Sequence, residues 1–234
     1  MITTGYPRSS VTRKTEIVDV ANGLTCSDMA DFPVQRYGAV GANLGGTPVV
    51  CGGYLGSVST EKCYRFKNSV WEEFASMKEK RVFAAAVMHN DKLHVFGGAY
   101  NSGGWITLQT TETINVDGEV SYGPDLPTAV WRHAMTKING TVSLLSGGKT
   151  NAEYYTVKTW YYNHDTETFT SGPDLMEGRV SHGSALNVDK VTKSKIVVVT
   201  GGRGSGHVTL ESTELLINGH WQAGTIQQNY FDFL

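Results

Sequence analysis

"KLHVFGGAYNSGG", residues 92–104, passes from an alternating apolar run into two adjacent glycines and then a polar, aromatic loop. The run has the period-two pattern of a strand. A glycine pair at the end of a strand costs backbone entropy. It is used where the chain must enter the left-handed region or where another backbone approaches closely. Three other stretches pose the same question: "PVVCGG" (48–53), "VSLLSGG" (142–148) and "IVVVTGG" (196–202). The first glycines stand at 52, 97, 147 and 201, at intervals of 45, 50 and 54 residues, and "MITTGY" (1–6) reads as a degenerate fifth copy. A fixed period of this length marks a repeat architecture, in which each unit cannot bury its faces alone.

Other markers keep step. Arg36, Arg81, Arg132 and Arg179 recur at spacings of 45, 51 and 47. Thr-Glu opens a strand pattern at 15/16, 60/61, 111/112 and 213/214, while Val157-Lys158 stands where a fourth-unit copy would fall. "SDMADFP", "ASMKEK", "GPDLP" and "GPDLM" each precede a marker arginine. Within one unit the pattern predicts four strands: 81–88, "KLHVF", "TTETINV" and "EVSYG". Asn90-Asp91, Asp117-Gly118, Asn139-Gly140 and Asn218-Gly219 supply the residues that two-residue hairpin turns require. Each unit is therefore expected to be a four-stranded antiparallel meander.

Strand, Gly-Gly, loop, strand, an aromatic in the last strand (Trp71, Tyr122, Phe169, Trp221), turn and Arg is a pattern that resembles the kelch repeat, and the resemblance covers nearly the whole chain. It implies an all-β fold, a kelch-type β-propeller of about five four-stranded blades, whole or partial. The blades would span 1–35 in part, 36–80, 81–131, 132–178 and 179–234. Kelch propellers usually close with more blades, and the first unit here lacks its innermost strand. Either "NYFDFL" (229–234) supplies that strand or the chain is a piece of a longer protein, and the second is the expectation, because unpaired strand edges are rarely tolerated.

Composition narrows the function. The chain has 234 residues, with 20 Lys+Arg against 22 Asp+Glu, so neither nucleic acid nor an acidic membrane surface is an expected partner. No run is apolar enough for membrane insertion, and the first residues lack the pattern of a secretory leader. "GGRGSG" (201–206) looks like a phosphate-cradling loop, but the strand-like "HVTLESTELLI" follows where that motif needs a helix. No catalytic or metal-binding motif is present, and His94, flanked by apolar residues, reads as a core imidazole. Neither enzymatic activity nor a cofactor is expected.

In an antiparallel meander the loops after the second and fourth strands share one face. The first set is "YLGSVS" (54–59), "AYNSGGWI" (99–106), "KTNAEYY" (149–155) and "RGSGHV" (203–208). These loops differ from one another and carry Tyr54, Tyr100, Asn101, Trp105, Tyr154, Arg203 and His207, including types enriched at interface hot spots, and they are the candidate binding residues for a protein partner. Features present in every unit are expected to serve the unit: the pairs Gly52-Gly53, Gly97-Gly98, Gly147-Gly148 and Gly201-Gly202, and the arginines Arg36, Arg81, Arg132 and Arg179, paired with Glu16, Glu61, Glu112 and Glu214. The alternative is a basic ring that reads acidic peptides, as in some kelch proteins.

Cys51 and Cys63 lie on adjoining strands, where reduced thiols would fit an intracellular protein and a bridge an extracellular one. Asn139-Gly140-Thr141 is a glycosylation acceptor pattern that coincides with a turn. The resemblance implies a protein-interaction module or scaffold, in the cytoplasm, of the kind that presents substrates to ubiquitin ligases through an attached domain not seen here. The runner-up is an extracellular or enzymatic propeller, carbohydrate-active or oxidase-like.

Overall fold

The computed structural model describes residues 2–3, 13–19, 24–26, 29–188 and 193–224. Sheet 1 contains β1 (Ile2–Thr3), β2 (Thr15–Asp19) and β3 (Leu24–Cys26). Sheet 2 follows with β4 (Val40–Leu44), β5 (Thr47–Cys51), β6 (Lys62–Lys67) and β7 (Val70–Ser76). Sheet 3 has β8 (Ala85–His89) and β9 (Lys92–Phe96); its loop forms a small hairpin, β10 (Ala99–Asn101) and β11 (Trp105–Thr107), before β12 (Thr111–Asn115) and β13 (Val120–Tyr122). After the short β14 (Val130–Trp131), sheet 4 is built from β15 (Ala134–Lys137), β16 (Val142–Ser146), β18 (Thr159–Asn163) and β19 (Thr168–Ser171). The loop strand β17 (Lys149–Thr150) pairs with β14. Sheet 5 has β20 (Gly183–Val188), β21 (Lys195–Thr200), β22 (Thr213–Ile217) and β23 (His220–Gly224). Among the described residues the one helical element is the 3-10 turn Ser205–His207.

Every strand pairs antiparallel with its neighbour, and the first strands of sheets 2 to 5 lie in contact one after another. The fold is all-β and consistent with a β-propeller-like arrangement. Sheet 1 has three strands among the described residues, and "NYFDFL" lies outside them.

Apolar side chains fill the spaces between successive sheets. Val40, Val49 and Cys63 of sheet 2 pack on Leu93, Val95 and Ile114 of sheet 3. Phe96 meets Leu145 and Tyr162 of sheet 4, and Leu144 meets Val197, Val199 and Leu216 of sheet 5. Burial of each such side chain contributes about 1.5–3 kcal/mol, so a sheet separated from its neighbours would lose most of its core.

The glycine pairs join the sheets. Gly53 N donates to Arg81 O (2.7 Å), Gly98 N to Val130 O (2.9 Å) and Gly148 N to Arg179 O (2.8 Å), each bond crossing to the entry of the next sheet. Gly52 and Gly97 adopt φ of 69° and 55°, and a Cβ on either would collide with that same carbonyl. Gly201, in the last sheet, has only the more distant carbonyl of Leu210 in this position, at 3.8 Å. A second set of bonds follows: Phe83 N to Gly38 O (2.7 Å), Arg132 N to Phe83 O (2.9 Å) and Ser181 N to Arg132 O (2.8 Å). All four of these residues have positive φ, between 54° and 64°.

Two of the four expected turns differ. Asn90-Asp91 and Asn218-Gly219 are two-residue turns with positive φ throughout. Around Asp117-Gly118 the Asn115 side chain instead accepts from the amides of Asp117 (3.1 Å) and Glu119 (2.9 Å), and the loop is longer. Asn139 does the same for Thr141 (2.9 Å) and Val142 (2.8 Å). A local side-chain acceptor has replaced the ladder bond in both.

Candidate functional site

The strand register separates structural side chains from those free to vary. One inward position on the third strand, opposite the residue two before each glycine pair, is occupied by Tyr64, Glu112, Trp160 and Glu214 in sheets 2 to 5. The facing position at each sheet's entry is Arg36, Arg81, Val130 and Arg179.

In sheets 3 and 5 this is a buried ion pair. Arg81 Nη2 donates to Glu112 Oε1 (2.8 Å), Nη1 to Gly97 O and Thr110 O (2.8 Å each), and Nη2 also to Glu79 (2.8 Å). Arg179 Nη2 donates to Glu214 Oε1 at 2.7 Å. Each carboxylate also accepts two backbone amides of the preceding linker: Lys78 (2.6 Å) and Glu79 (3.1 Å) on Glu112, Met176 (2.7 Å) and Glu177 (3.2 Å) on Glu214. The pair therefore fastens linker to sheet.

Sheet 2 fills the position differently. Arg36 donates to Gly52 O (2.7 Å) and lies between the rings of Phe32 (4.7 Å) and Tyr64 (4.9 Å). Burial pushes its guanidinium below the usual value, and Tyr64 opposes this. Glu61 is not its partner, because it precedes the pairing position by three residues. Glu16 is exposed, in sheet 1.

Arg132 is the main correction. It was expected among the structural arginines, but the register gives that position to Val130; Arg132 belongs with Gly38, Phe83 and Ser181, whose shared feature is a backbone conformation. Its side chain lies over Phe83 (4.0 Å) and Trp131 (4.9 Å) and donates to Ser181 Oγ (3.2 Å).

From Arg132 an aromatic belt extends across the loop face. Tyr37 contacts Tyr54 and Phe83 (5.5 and 5.8 Å between ring centres), Tyr54 contacts Trp105 (5.5 Å), and Trp105 stacks on Trp131 (5.2 Å). Lys149 bridges Trp131 (5.4 Å) to Tyr154 (3.9 Å), which meets Tyr155 and His207. Tyr155 and His207 share a hydrogen bond of 2.7 Å. Trp105 and Tyr154 are 42% and 45% exposed, and Val58, Ile106 and Val208 of the same set of loops are exposed as well.

The belt thus collects Tyr54, Trp105, Tyr154 and His207 from the expected set. Arg203 is exposed and close enough to depress the Arg132 guanidinium further, after burial itself, whereas Tyr154 and Tyr37 raise it. Two candidates fall outside. Tyr100 joins no ring contact among the described residues, and Asn101 is tied through its backbone amide to Ser59 Oγ (3.1 Å). Tyr37, Phe83, Trp131, Lys149 and Tyr155 were not expected. Several sit just past the arginine position, where recurrence suggested a purely structural role. Among the described residues none of Arg132, Lys149 and Arg203 forms an ion pair. Cations aligned with ring faces and lacking carboxylates suit an anionic group presented on an apolar surface.

At the other ends of the strands His89 stacks on His164 (4.5 Å), and His94 meets His164 edge-on (5.0 Å). Burial first, and then the neighbouring imidazoles and lysines, depress His94 to about 4 and His164 to about 3. His133 and His182, on the entries of sheets 4 and 5, are depressed by burial to about 3 and about 4. No group of acidic, histidine or cysteine side chains that could hold a metal ion occurs among the described residues. Nor is any described helix long and apolar enough to cross a membrane. Cys51 and Cys63 are bridged, directly across β5 and β6.

No family model and no curated protein matches the chain. It is similar to the solved structure of YjhT, with 14% identity and a TM-score of 0.77 over 95% of this chain and 82% of that one, a likeness that concerns the fold alone.

Proposed function

We propose that the chain is a kelch-type β-propeller acting as a non-catalytic protein-interaction module, with its partner bound on the loop face. The observation carrying this reading is the belt: Trp105 and Tyr154 exposed, with Arg132, Lys149 and Arg203 on the same face and no carboxylate among the described residues paired to any of the three. Trp, Tyr and Arg are the types that dominate binding energy at interfaces, and contiguous exposed apolar surface marks interaction sites. Charge complementarity points to a partner segment that carries carboxylates next to apolar side chains.

The Cys51–Cys63 bridge favours a second reading of where this happens. A cytoplasmic scaffold or ubiquitin-ligase adaptor needs these thiols reduced, whereas the bridge belongs with an oxidising, extracellular setting. Intact mass with and without reduction, on chain alkylated at isolation, separates the two.

Binding is tested by capture with the whole chain, in parallel with Trp105→Ala, Arg132→Ala and Tyr122→Ala, the last an exposed ring on an outer strand away from the belt. A protein held by the parent and by Tyr122→Ala but lost with both belt variants supports the reading. A protein retained by all four chains, or a glycan bound on the same belt in place of protein, overturns it.

A further inference from the structure

We propose that Asn139 is an N-glycosylation site, on the face opposite the belt. The inference rests on the extracellular reading, and three observations lead to it. The acceptor pattern Asn139-Gly140-Thr141 occupies the loop between β15 and β16, where Asn139 and Gly140 are exposed. Asn139 Oδ1 accepts from the amides of Thr141 and Val142 and approaches the Thr141 hydroxyl at 3.4 Å, while Nδ2 makes no hydrogen bond among the described residues. The side chain is thus held by its oxygen, and the nitrogen that carries a glycan is uncommitted. Gly140 adds no side chain beside it and is anchored through its carbonyl to His89 Nδ1 (3.0 Å). The buried Cys51–Cys63 bridge, on which the extracellular reading rests, fits the oxidising compartments in which such transfer takes place.

In the transfer the Asn139 amide nitrogen attacks the anomeric carbon of an oligosaccharide linked to a lipid diphosphate. The new C–N bond forms as the anomeric C–O bond breaks. The lipid diphosphate leaves with that electron pair, and one amide proton passes to a base of the transferase. No change of oxidation state is involved.

The position has a consequence for binding. β16, five residues long, runs from this loop toward Gly147 and Lys149, so the glycan and the belt lie at opposite ends of a strand about 17 Å long. A glycan on Asn139 would cover the turn face and leave the belt open.

The test is secretion of the full chain from animal cells behind a cleavable leader, alongside Asn139→Gln and Thr141→Ser. Intact mass is read before and after peptide N-glycosidase, and before and after reduction. The expected result is a mass increase on the parent and on Thr141→Ser that the glycosidase removes, leaving Asp at position 139, with no increase on Asn139→Gln. A secreted chain with Cys51 and Cys63 bridged and Asn139 bare overturns the glycosylation alone. A chain with both cysteines as thiols overturns the compartment reading and the site with it.

Discussion

Sheets 3 and 4 are successive copies of one pattern, yet they fill the same position in opposite ways. Sheet 3 buries Arg81 on Glu112, and sheet 4 puts Val130 and Trp160 there. Sheet 5 follows sheet 3 with Arg179 and Glu214, while sheet 2 follows neither and stacks Arg36 on Phe32 and Tyr64. The position is therefore a requirement of shape and satisfied backbone groups, met by an ion pair, a ring stack or apolar packing. That tolerance agrees with the small net value of buried pairs relative to apolar substitutes, and with the large cost of removing one partner alone. It also releases Arg132 from a structural duty and leaves it on the belt.

The largest effect is expected where that duty is heaviest. Arg81→Ala or Arg179→Ala strands a buried carboxylate and should lower stability by about 3–5 kcal/mol in urea unfolding. Arg36→Leu leaves no carboxylate behind, only carbonyls without a donor and a lost ring contact, and should cost about 1–3 kcal/mol. Equal losses at Arg36 and Arg81 would erase the distinction between stack and ion pair.

Acid should act on the buried imidazoles between the sheets. His94, His133, His164 and His182 are held below the usual 6.5 in the folded chain, so the unfolded chain binds more protons in mildly acidic solution. Their contribution is complete above pH 6.5 and is lost as pH falls from there toward about 4 for His94 and His182 and about 3 for His133 and His164. The urea midpoint should drop across that window, and less steeply in His164→Asn. A midpoint independent of pH there would contradict the buried, neutral imidazoles.

The repeat was legible because its markers obey steric rules: all eight paired glycines have positive φ, and at Gly52, Gly97 and Gly147 a Cβ would also collide with the carbonyl at the entry of the next sheet. Register was less legible. Counting arginines matched Arg132 to Arg81 and Arg179, when "RHAM" (132–135) beside "SHGS" (181–184) aligns His133 with His182 and exposes the shift of two residues. Thr-Glu at 60/61 misled in the same way, since Cys63-Tyr64 takes the equivalent place. The loop aromatics could be found because the loops differ. Their partners Tyr37, Phe83 and Trp131 were hidden in repeated segments, where only the fold shows which ring turns to the face.

The smallest stability effect, and the most direct test, belongs to Arg132. Urea midpoints of Arg132→Ala and Arg81→Ala should be measured side by side at pH 7. Loss of its ring contacts should cost Arg132→Ala about 1 kcal/mol, well short of the loss at Arg81. Midpoints that fall together, or further for Arg132→Ala, would return Arg132 to the scaffold and remove the central cation of the belt.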